Sequence, residues 1–199
     1  QVGGLLFAYN LSYGLSQLPA GWAADRFGSR IMLTAGVAGV AFAGLLIGLS
    51  TNYIVLALFL VILGLMGGGY HPAASPLVSA SVEPKNRGKA LGIHQIGGTG
   101  SFFLAPLIAA GIASALGWRG AFLAISIPAI AFGITFYILL GRRGYANVVP
   151  KKATDASTTK PSEPVDLRRL SAFIAMGIAS MVLIYSSLQF VPLYAVDVL

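Results

Sequence analysis

Two histidines, His71 and His94, are the most distinctive candidates for a chemical role in this chain, because both lie inside long apolar stretches. His71 follows Tyr70 in the stretch GGGYHPAAS, and His94 precedes Gln95 in GIHQIGGTG. Imidazole titrates in the physiological pH range and can therefore hold or pass on a proton. An ionisable side chain within a membrane span is energetically costly, so such a residue is a candidate functional residue. We therefore expect both histidines to be candidates for proton coupling, and four side chains to line a solute cavity: Tyr70, His71, His94 and Gln95. The alternative is structural, with each imidazole bonded to a neighbouring carbonyl.

The elements that must position these histidines are long uncharged stretches. The chain of 199 residues is 56% hydrophobic and 10% charged, whereas a soluble domain is about a quarter charged. Crossing the hydrocarbon core takes about 20 helical residues. No stretch alternates polar and apolar residues as barrel strands do. The sequence therefore predicts an all-α polytopic transmembrane helical bundle of about six spans, at 1–20, 31–49, 53–80, 89–116, 120–140 and 170–192.

The positive charges give the predicted spans an orientation. Twelve of the thirteen Lys and Arg residues lie in three loops on the same side, and only Arg119 lies on the other. Cytoplasmic loops carry the excess of Lys and Arg. The net charge of +7 thus reflects insertion into a lipid bilayer, and no nucleic acid partner is expected. In this orientation His71 and His94 lie about 16 and 9 Å from the cytoplasmic ends of their spans, where antiparallel neighbours could bring them together.

Further polar side chains lie within the first and the last span. Asn10, Tyr13 and Gln17 fall at i, i+3 and i+7 and share one helix face, and Tyr185 and Gln189 lie within the last span. Such residues line a cavity or bond to a neighbouring helix. No Asp or Glu lies within any predicted span, and no third His joins the two histidines. The sequence therefore predicts neither a metal site nor a cofactor.

Polarity is concentrated in the stretch GWAADRFGSR, between the first two spans. Gly21 allows close helix approach, and Gly28 permits a turn with positive φ. Asp25 is expected just before the next helix begins, where a carboxylate suits a helix dipole and a nearby guanidinium. Arg26 and Arg30 are expected to bind that carboxylate or a lipid phosphate. The alternative is a solvated turn whose charges only set the topology.

This stretch resembles the signature loop of the major facilitator superfamily, which connects the second and third of twelve membrane helices. Ser29 stands where a second basic residue is common. The resemblance implies that the loop braces the two halves of the transporter on the cytoplasmic side and holds the outward-open state. The expected cytoplasmic gate loop consists of Gly21, Asp25, Arg26, Gly28 and Arg30.

The resemblance also sets the expected domain organisation. Residues 1–141 correspond to helices two to six of the N-terminal bundle, and residues 170–199 to the incomplete first helix of the C-terminal bundle. Between them, residues 142–169 are rich in Ser, Thr, Pro and Lys, which is typical of a cytoplasmic linker. The chain is therefore expected to be a fragment of about half a transporter, without helix one and helices eight to twelve.

A narrower resemblance, to fosmidomycin-resistance-type exporters, depends on Tyr-His-Pro at 70–72 and Gly-Ile-His at 92–94. Two features depart from many proton-coupled exporters of the superfamily. Leu60 stands where they carry an Arg, and Ala105 replaces the Gly of their Gly-Pro pair. Both departures argue against ordinary drug–proton antiport.

The expected function is secondary active transport of a small organic solute across the cytoplasmic (inner) membrane by alternating access, in the efflux direction. If protons drive transport, their carrier is expected to be a histidine of this chain or a residue of the missing half. The full-length protein is expected to be a monomer. Uptake of an organic anion is one alternative, and a transporter-like membrane sensor without transport is another. An enzyme is not expected, because no nucleophile–base pair or carboxylate cluster occurs at the predicted interfaces.

Overall fold

A computed structural model describes residues 2–142 and 166–198, and all the regular structure in these two ranges is helical. The helices are α1 (Val2–Phe27), α2 (Ser29–Gly48), α3 (Tyr53–Gly67), α4 (Tyr70–Ala80), α5 (Arg87–Arg142) and α6 (Leu167–Val198), with a short 3₁₀ turn at Pro84–Asn86. This confirms the predicted all-α class. Within the described ranges, four helical stretches are long and apolar enough to cross a membrane: Ser29–Gly48, Tyr53–Ala80, Pro84–Arg142 and Leu167–Ser187. The more polar α1, with 26 residues, is not among them.

Helix α5 contains two of the predicted spans. Gly117 has φ 71° and ψ 171°, a left-handed backbone that glycine adopts without steric cost. The helical path is therefore interrupted there. The interruption falls in the gap that the sequence predicts between 116 and 120, so α5 crosses the apolar layer once on each side of Gly117.

The third predicted span is broken in the middle, between α3 and α4. Asn52 begins it, because its side-chain oxygen accepts a hydrogen bond of 3.0 Å from the Val55 amide, as an N-cap does. Gly68 and Gly69 then separate the two helices. Their backbone angles stay close to helical, so the span bends without reversing direction.

Helix α1 runs parallel to α3 and α4 along a seam of small residues. Ser12 faces Gly64, Ser16 faces Gly68, and Gly21 faces Pro72. The Ser16 hydroxyl lies 3.4 Å from the Gly64 carbonyl oxygen, to which it donates a hydrogen bond. Small residues let membrane helices approach closely. The seam therefore holds the broken span against α1 on both sides of the break.

One end of the bundle, which the sequence predicts to be cytoplasmic, contains a packed apolar group. Ala24 of α1, Leu33 of α2 and three residues of α4 (Ala73, Ala74 and Leu77) form one buried cluster. Tyr70 and Phe136 are among the partly buried side chains that pack against it. The loop between α1 and α2 and the start of α4 thus rest on the same packed group.

On the opposite side, Arg119 joins α5 to the end of α2. Its Nε donates a hydrogen bond of 3.1 Å to the carbonyl oxygen of Ser50, a residue that is 3% exposed. Its guanidinium carbon lies 4.4 Å from the centre of the Trp118 ring. A cation is favourable at a helix C-terminus, and α2 ends two residues before Ser50.

Replacing Arg119 with alanine is expected to lower the free energy of unfolding by about 1–2 kcal/mol, because the buried Ser50 carbonyl loses a charge-assisted bond. Lys85→Ala is the matched control, since its 2.9 Å ion pair with Glu83 is exposed and should contribute little. Thermal unfolding of the full-length protein in detergent measures both. Equal shifts for the two variants would contradict a structural role for Arg119.

Of the described residues, 2–142 belong to one compact unit and 166–198 to a second, which contains α6. Asp166 caps this helix, because its Oδ1 accepts hydrogen bonds from the amides of Arg168 (3.0 Å) and Arg169 (3.2 Å). The helix therefore begins three residues before the predicted start at Leu170. Most of the predicted linker lies outside the described residues, so the predicted domain organisation stays a prediction.

Candidate transport site and cytoplasmic gate

Tyr70 brings the two histidines into one cluster. Its ring centre lies 5.5 Å from that of His71, which is nearly perpendicular to it at 78°. The His94 ring stacks on Tyr70 at 5.9 Å and 23°. His94 belongs to α5, whereas Tyr70 and His71 begin α4. The structure thus assembles side chains from two spans, as the antiparallel arrangement allows. We call Tyr70, His71 and His94 the aromatic–imidazole cluster.

The polar atoms of the aromatic–imidazole cluster have no protein partner in the described part of the chain. His71 is exposed, and Tyr70 and His94 are half-buried. Among residues 2–142 and 166–198, these three side chains make ring contacts with one another and no hydrogen bond. An unpaired polar group in hydrocarbon is costly. The cluster is therefore suited to a water-filled or solute-filled cavity, and Gln95, which is exposed, follows His94 on the same helix.

The break in the third span determines where the aromatic–imidazole cluster lies. A Cβ atom at Gly68 would meet Ser16 Oγ and would lie 2.8 Å from the Tyr13 carbonyl oxygen. Only glycine fits so close to another backbone. Tyr70 follows two residues later and packs on the cytoplasmic core. The approach of α1 to Gly68 and the core contact of Tyr70 together hold the start of α4 in place.

One face of α1 carries Asn10, Tyr13 and Gln17, and only part of this face is directed toward the break. Asn10 is exposed and donates a hydrogen bond of 2.8 Å to the Leu6 carbonyl of its own helix. The Tyr13 ring lies 3.3 Å from the Cβ position of Gly67, so Tyr13 does reach the break. Gln17 is half-buried.

The candidate residues of the last span lie on a separate unit. Tyr185 is 41% exposed on α6. The side chain of Gln189 lies outside the described residues. The contribution of both to a cavity stays a prediction.

A separate apolar cavity of about 280 Å³ lies between α2, α3 and α5. Its lining includes Val40, Leu63, Ala109, Phe122 and Ser126. None of the residues that the sequence nominates is among those that line it. Because Ser126 is its sole polar side chain, this cavity offers little to orient a polar solute.

Asp25 does not occupy the position expected from the sequence. Helix α1 continues to Phe27, and the amide of Gly28 still bonds to the Ala24 carbonyl at 3.0 Å. Asp25 therefore lies in the last turn of α1 and not at the start of α2. It is exposed, and no ion pair with Arg26 or Arg30 occurs among the described residues. The expectation of a carboxylate at the start of the next helix was wrong, because α1 is longer than the apolar run that predicts it.

Arg30 binds α5 instead of Asp25. Its Nη2 and Nε donate hydrogen bonds to the Tyr137 carbonyl oxygen at 2.9 and 3.3 Å. Its guanidinium carbon lies 4.0 Å from the centre of the Tyr137 ring. A Cβ atom at Gly141 would meet the guanidinium group. Arg30 thus fastens the beginning of α2 to the last turns of α5.

The other residues of the loop differ in exposure, since Arg26 is exposed and Gly28 is buried. Arg26 is exposed, with its guanidinium carbon 5.5 Å from the centre of the Trp22 ring. Gly28 has φ 90°, so the predicted turn with positive φ is confirmed. The Cβ position of Gly21 lies 3.8 Å from Pro72, which agrees with the predicted close approach.

Sequence reasoning missed Tyr137 and Gly141 as partners of the loop. Their separation of four residues places them on one face of α5, at the same end of the bundle as Arg30. The four-residue spacing can be seen in the sequence, but no neighbouring residue indicates that Arg30 is the cation that binds this face.

The sequence and the helical fold of this chain have counterparts among known proteins. The sequence profile of the Major Facilitator Superfamily matches residues 1–199. The chain belongs to the Major Facilitator Superfamily. Family membership confirms the resemblance on which the sequence analysis depends, together with the multi-pass localisation in the cytoplasmic membrane. The narrower resemblance to fosmidomycin-resistance-type exporters stays a prediction.

Curated relatives are transporters, not enzymes. A probable L-galactonate transporter of Escherichia coli is 28% identical over 148 residues, which are 74% of this chain and 33% of the relative. The multidrug resistance protein MdtG of Salmonella arizonae is 33% identical over 138 residues, or 68% of this chain and 34% of the relative. The chain thus spans about a third of the length of the curated relatives that it matches.

Solved structures show the same fold. A peptide transporter, POT, crystallised with alafosfalin, aligns with a TM-score of 0.64 at 17% identity. The alignment covers 92% of this chain and 37% of that transporter. At this identity the similarity concerns the helical architecture alone.

Proposed function

We propose that this chain provides helices two to seven of a secondary active transporter that moves a small organic solute across the cytoplasmic membrane by alternating access, in the efflux direction. The observation that carries the proposal is the aromatic–imidazole cluster at the break of the third span. Discontinuous membrane helices are typical of solute sites in transporters, because freed backbone groups and polar side chains are tolerated where they line a cavity. The similarity to MdtG supports the efflux direction.

The loop at 21–30 acts in this proposal as the cytoplasmic gate. Arg30 fixes the loop to α5 through Tyr137, which leaves the exposed Asp25 and Arg26 available for the second half of the transporter. A brace across the two halves favours the state in which the cytoplasmic side is closed. In this proposal residues 1–141 move together during transport, the linker at 142–169 connects the halves, and the full-length protein works as a monomer.

Protons are the proposed coupling ion, and His71 and His94 are their proposed carriers. The four apolar stretches that are long enough to cross the membrane contain no Asp or Glu. Carboxylates are the usual alternative proton carriers in membranes. Within this part of the transporter the histidines are therefore the side chains suited to the task.

Uptake of an organic anion is the second candidate function. The similarity to the probable L-galactonate transporter supports it, because galactonate is a carboxylate. This candidate differs from the first in the direction of transport and in the charge of the solute.

The test is a flux measurement on the full-length protein in liposomes that contain a pH-sensitive dye. Solutes of both charges, including L-galactonate and cationic drugs, are added outside, and proton movement is followed for the parent protein, His71→Ala and His94→Ala. We expect solute-driven proton flux that falls at least about tenfold in one histidine variant. Ser101→Ala is the matched control, since its hydroxyl bonds to the Gly98 carbonyl of its own helix.

Three other results would change the proposal. Proton flux that both histidine variants retain would exclude them as carriers. Solute flux without proton movement would exclude proton coupling. Solute binding without any flux would favour the sensor alternative.

A further inference from the structure

We propose that the aromatic–imidazole cluster binds the acid group of a small organic anion, with the imidazoles of His71 and His94 and the hydroxyl of Tyr70 as hydrogen-bond donors. This inference rests on the proposed transport function, and it names the solute class. It assigns the anion to the broken third span and its neighbour α5. Three observations carry it: the lack of Asp and Glu in the described apolar spans, the unpaired polar atoms of the cluster, and the packing of Tyr70 against buried residues.

The charges of the spans favour an anion over a cation. The apolar stretches Ser29–Gly48, Tyr53–Ala80 and Leu167–Ser187 contain no Asp or Glu, and neither does α5. A cationic solute would therefore find no carboxylate there, and desolvating a charge without a partner is costly. Imidazole, in contrast, is a donor in its neutral form and a doubly donating cation when protonated. The hydrogen-bond donors of the aromatic–imidazole cluster therefore suit an acid group.

The polar atoms of the aromatic–imidazole cluster are available to a ligand. Neither imidazole, nor the Tyr70 hydroxyl, makes a hydrogen bond to any residue that the structure describes. Both imidazole ring centres lie within 6 Å of the Tyr70 ring centre. A carboxylate has about four acceptor positions on two oxygens, so it can accept from several of these donors at once. The same positions would offer a cation the ring faces and the acceptor atoms of a neutral imidazole and of the hydroxyl, but no compensating negative charge.

The aromatic–imidazole cluster is anchored through Tyr70, which packs against buried residues of the bundle. Tyr70 contacts the buried group that includes Ala73 and Leu77. The preceding glycines are held against α1, because the Cβ position of Gly68 lies 2.8 Å from the Tyr13 carbonyl oxygen. A ring that is fixed in this way loses little conformational entropy when a solute binds. The Tyr70 ring, on which both imidazoles pack, is thus ordered before the anion arrives.

Equilibrium binding to the full-length protein in detergent tests the inference with probes matched in shape and different in charge. The probes are gluconate against its uncharged analogue glucitol, and benzoate against benzyl alcohol, with ethidium as the cation. We expect at least one carboxylate to bind about tenfold or more tightly than its neutral analogue, because charge-assisted hydrogen bonds are lost with the acid group. Flux of the same probes into liposomes is measured in parallel.

The variants locate the site. We expect Tyr70→Phe, His71→Gln and His94→Gln each to weaken carboxylate binding at least about fivefold. Tyr70→Phe removes only the hydroxyl and keeps the ring on which both imidazoles pack. Tyr194→Phe is the matched control, because Tyr194 lies on the separate α6 unit and is 63% exposed. Thermal unfolding of each variant shows whether it is folded.

Two kinds of failure are distinguishable. Flux of ethidium or of a neutral probe, with no preference for either carboxylate, would overturn the anion assignment and leave transport intact. Carboxylate binding that is unchanged in all three folded variants would overturn the placement at this cluster. Absence of binding and of flux for every probe would count against the transport function itself.

Discussion

Replacing Gly68 with alanine is expected to destabilise the protein by about 3 kcal/mol, at the upper end of overpacking costs. The new methyl group would meet Ser16 Oγ and would lie 2.8 Å from the Tyr13 carbonyl oxygen. The serine hydroxyl can rotate away, but the carbonyl belongs to the backbone of α1 and moves only with that helix. Separating α1 from the broken span would also displace the Tyr70 ring from the core.

The control for this substitution is Gly92→Ala, since a Cβ atom at Gly92 has no other atom within 4 Å. Alanine is favoured over glycine in a helix by about 1 kcal/mol, so this variant should unfold at the same or a slightly higher temperature. Adding Ser16→Ala to Gly68→Ala should restore only part of the loss, because the Tyr13 carbonyl remains in place. Chemical denaturation of the full-length protein measures all three. Equal stabilities of Gly68→Ala and Gly92→Ala would show that the seam does not constrain this position.

The same pair of variants separates the roles of the seam and of the solute site. Gly68→Ala is expected to reduce solute binding even at a temperature where it is folded, since the start of α4 would be shifted relative to His94. Gly92→Ala lies one turn or less from His94 but introduces no contact. Binding by Gly92→Ala should therefore match the parent protein.

Apolar run length and turn residues made most of the helical architecture predictable from the sequence. A membrane helix must satisfy its own backbone hydrogen bonds, so a charge-free run of sufficient length has few alternatives to a helix. The gaps between the predicted spans at 50–52 and 117–119 contain Asn52 and Gly117, where the structure also has interruptions. Ends of helices were less predictable, because α1 continues for seven residues past the predicted end at residue 20.

Contacts between spans were predictable only in outline. The depth of His71 and His94 allowed them to be neighbours, but no sequence pattern indicated that Tyr70 lies between them. That arrangement depends on the bend at Gly68 and Gly69, which sets the direction of the first residues of α4. The partner of Arg30 was equally hidden, since Tyr137 is 107 positions away. Periodicity within a helix identifies its faces, and it does not identify the neighbour of each face.

Replacing Arg30 with alanine is expected to shift the transporter toward the state that is open to the cytoplasm by about tenfold. The substitution removes two hydrogen bonds to the Tyr137 carbonyl and the ring contact at 4.0 Å. A charge-assisted contact of this kind contributes about 1.4 kcal/mol or more. Because the contact lies within residues 1–141, its loss acts on the conformational equilibrium by releasing the loop whose Asp25 and Arg26 brace the second half, and a brace weakened by this amount shifts that equilibrium by a factor of ten. Arg30→Lys should recover little, because an ammonium group cannot reproduce the planar guanidinium contact.

Cysteine labelling measures this shift directly, because these 199 residues contain no cysteine. A cysteine introduced by Ser75→Cys, on the exposed face of α4, should react faster with a reagent added from the cytoplasmic side when Arg30 is absent. Gly141→Ala should have the same effect as Arg30→Ala, since the new methyl group would occupy the position of the guanidinium.

Two controls decide whether the contact itself is responsible. In a double-variant cycle, Tyr137→Leu should reduce the effect of Arg30→Ala, because part of the attraction is to the ring. Lys85→Ala removes an equal charge from another loop at the same end of the bundle but only an exposed ion pair with Glu83, so it should change the free energy of unfolding by less than about 0.5 kcal/mol and leave labelling unchanged. If Lys85→Ala and Arg30→Ala accelerate labelling equally and Gly141→Ala does not, the cytoplasmic loops act through their total charge, and the fastening of α2 to α5 is not the element that closes the gate.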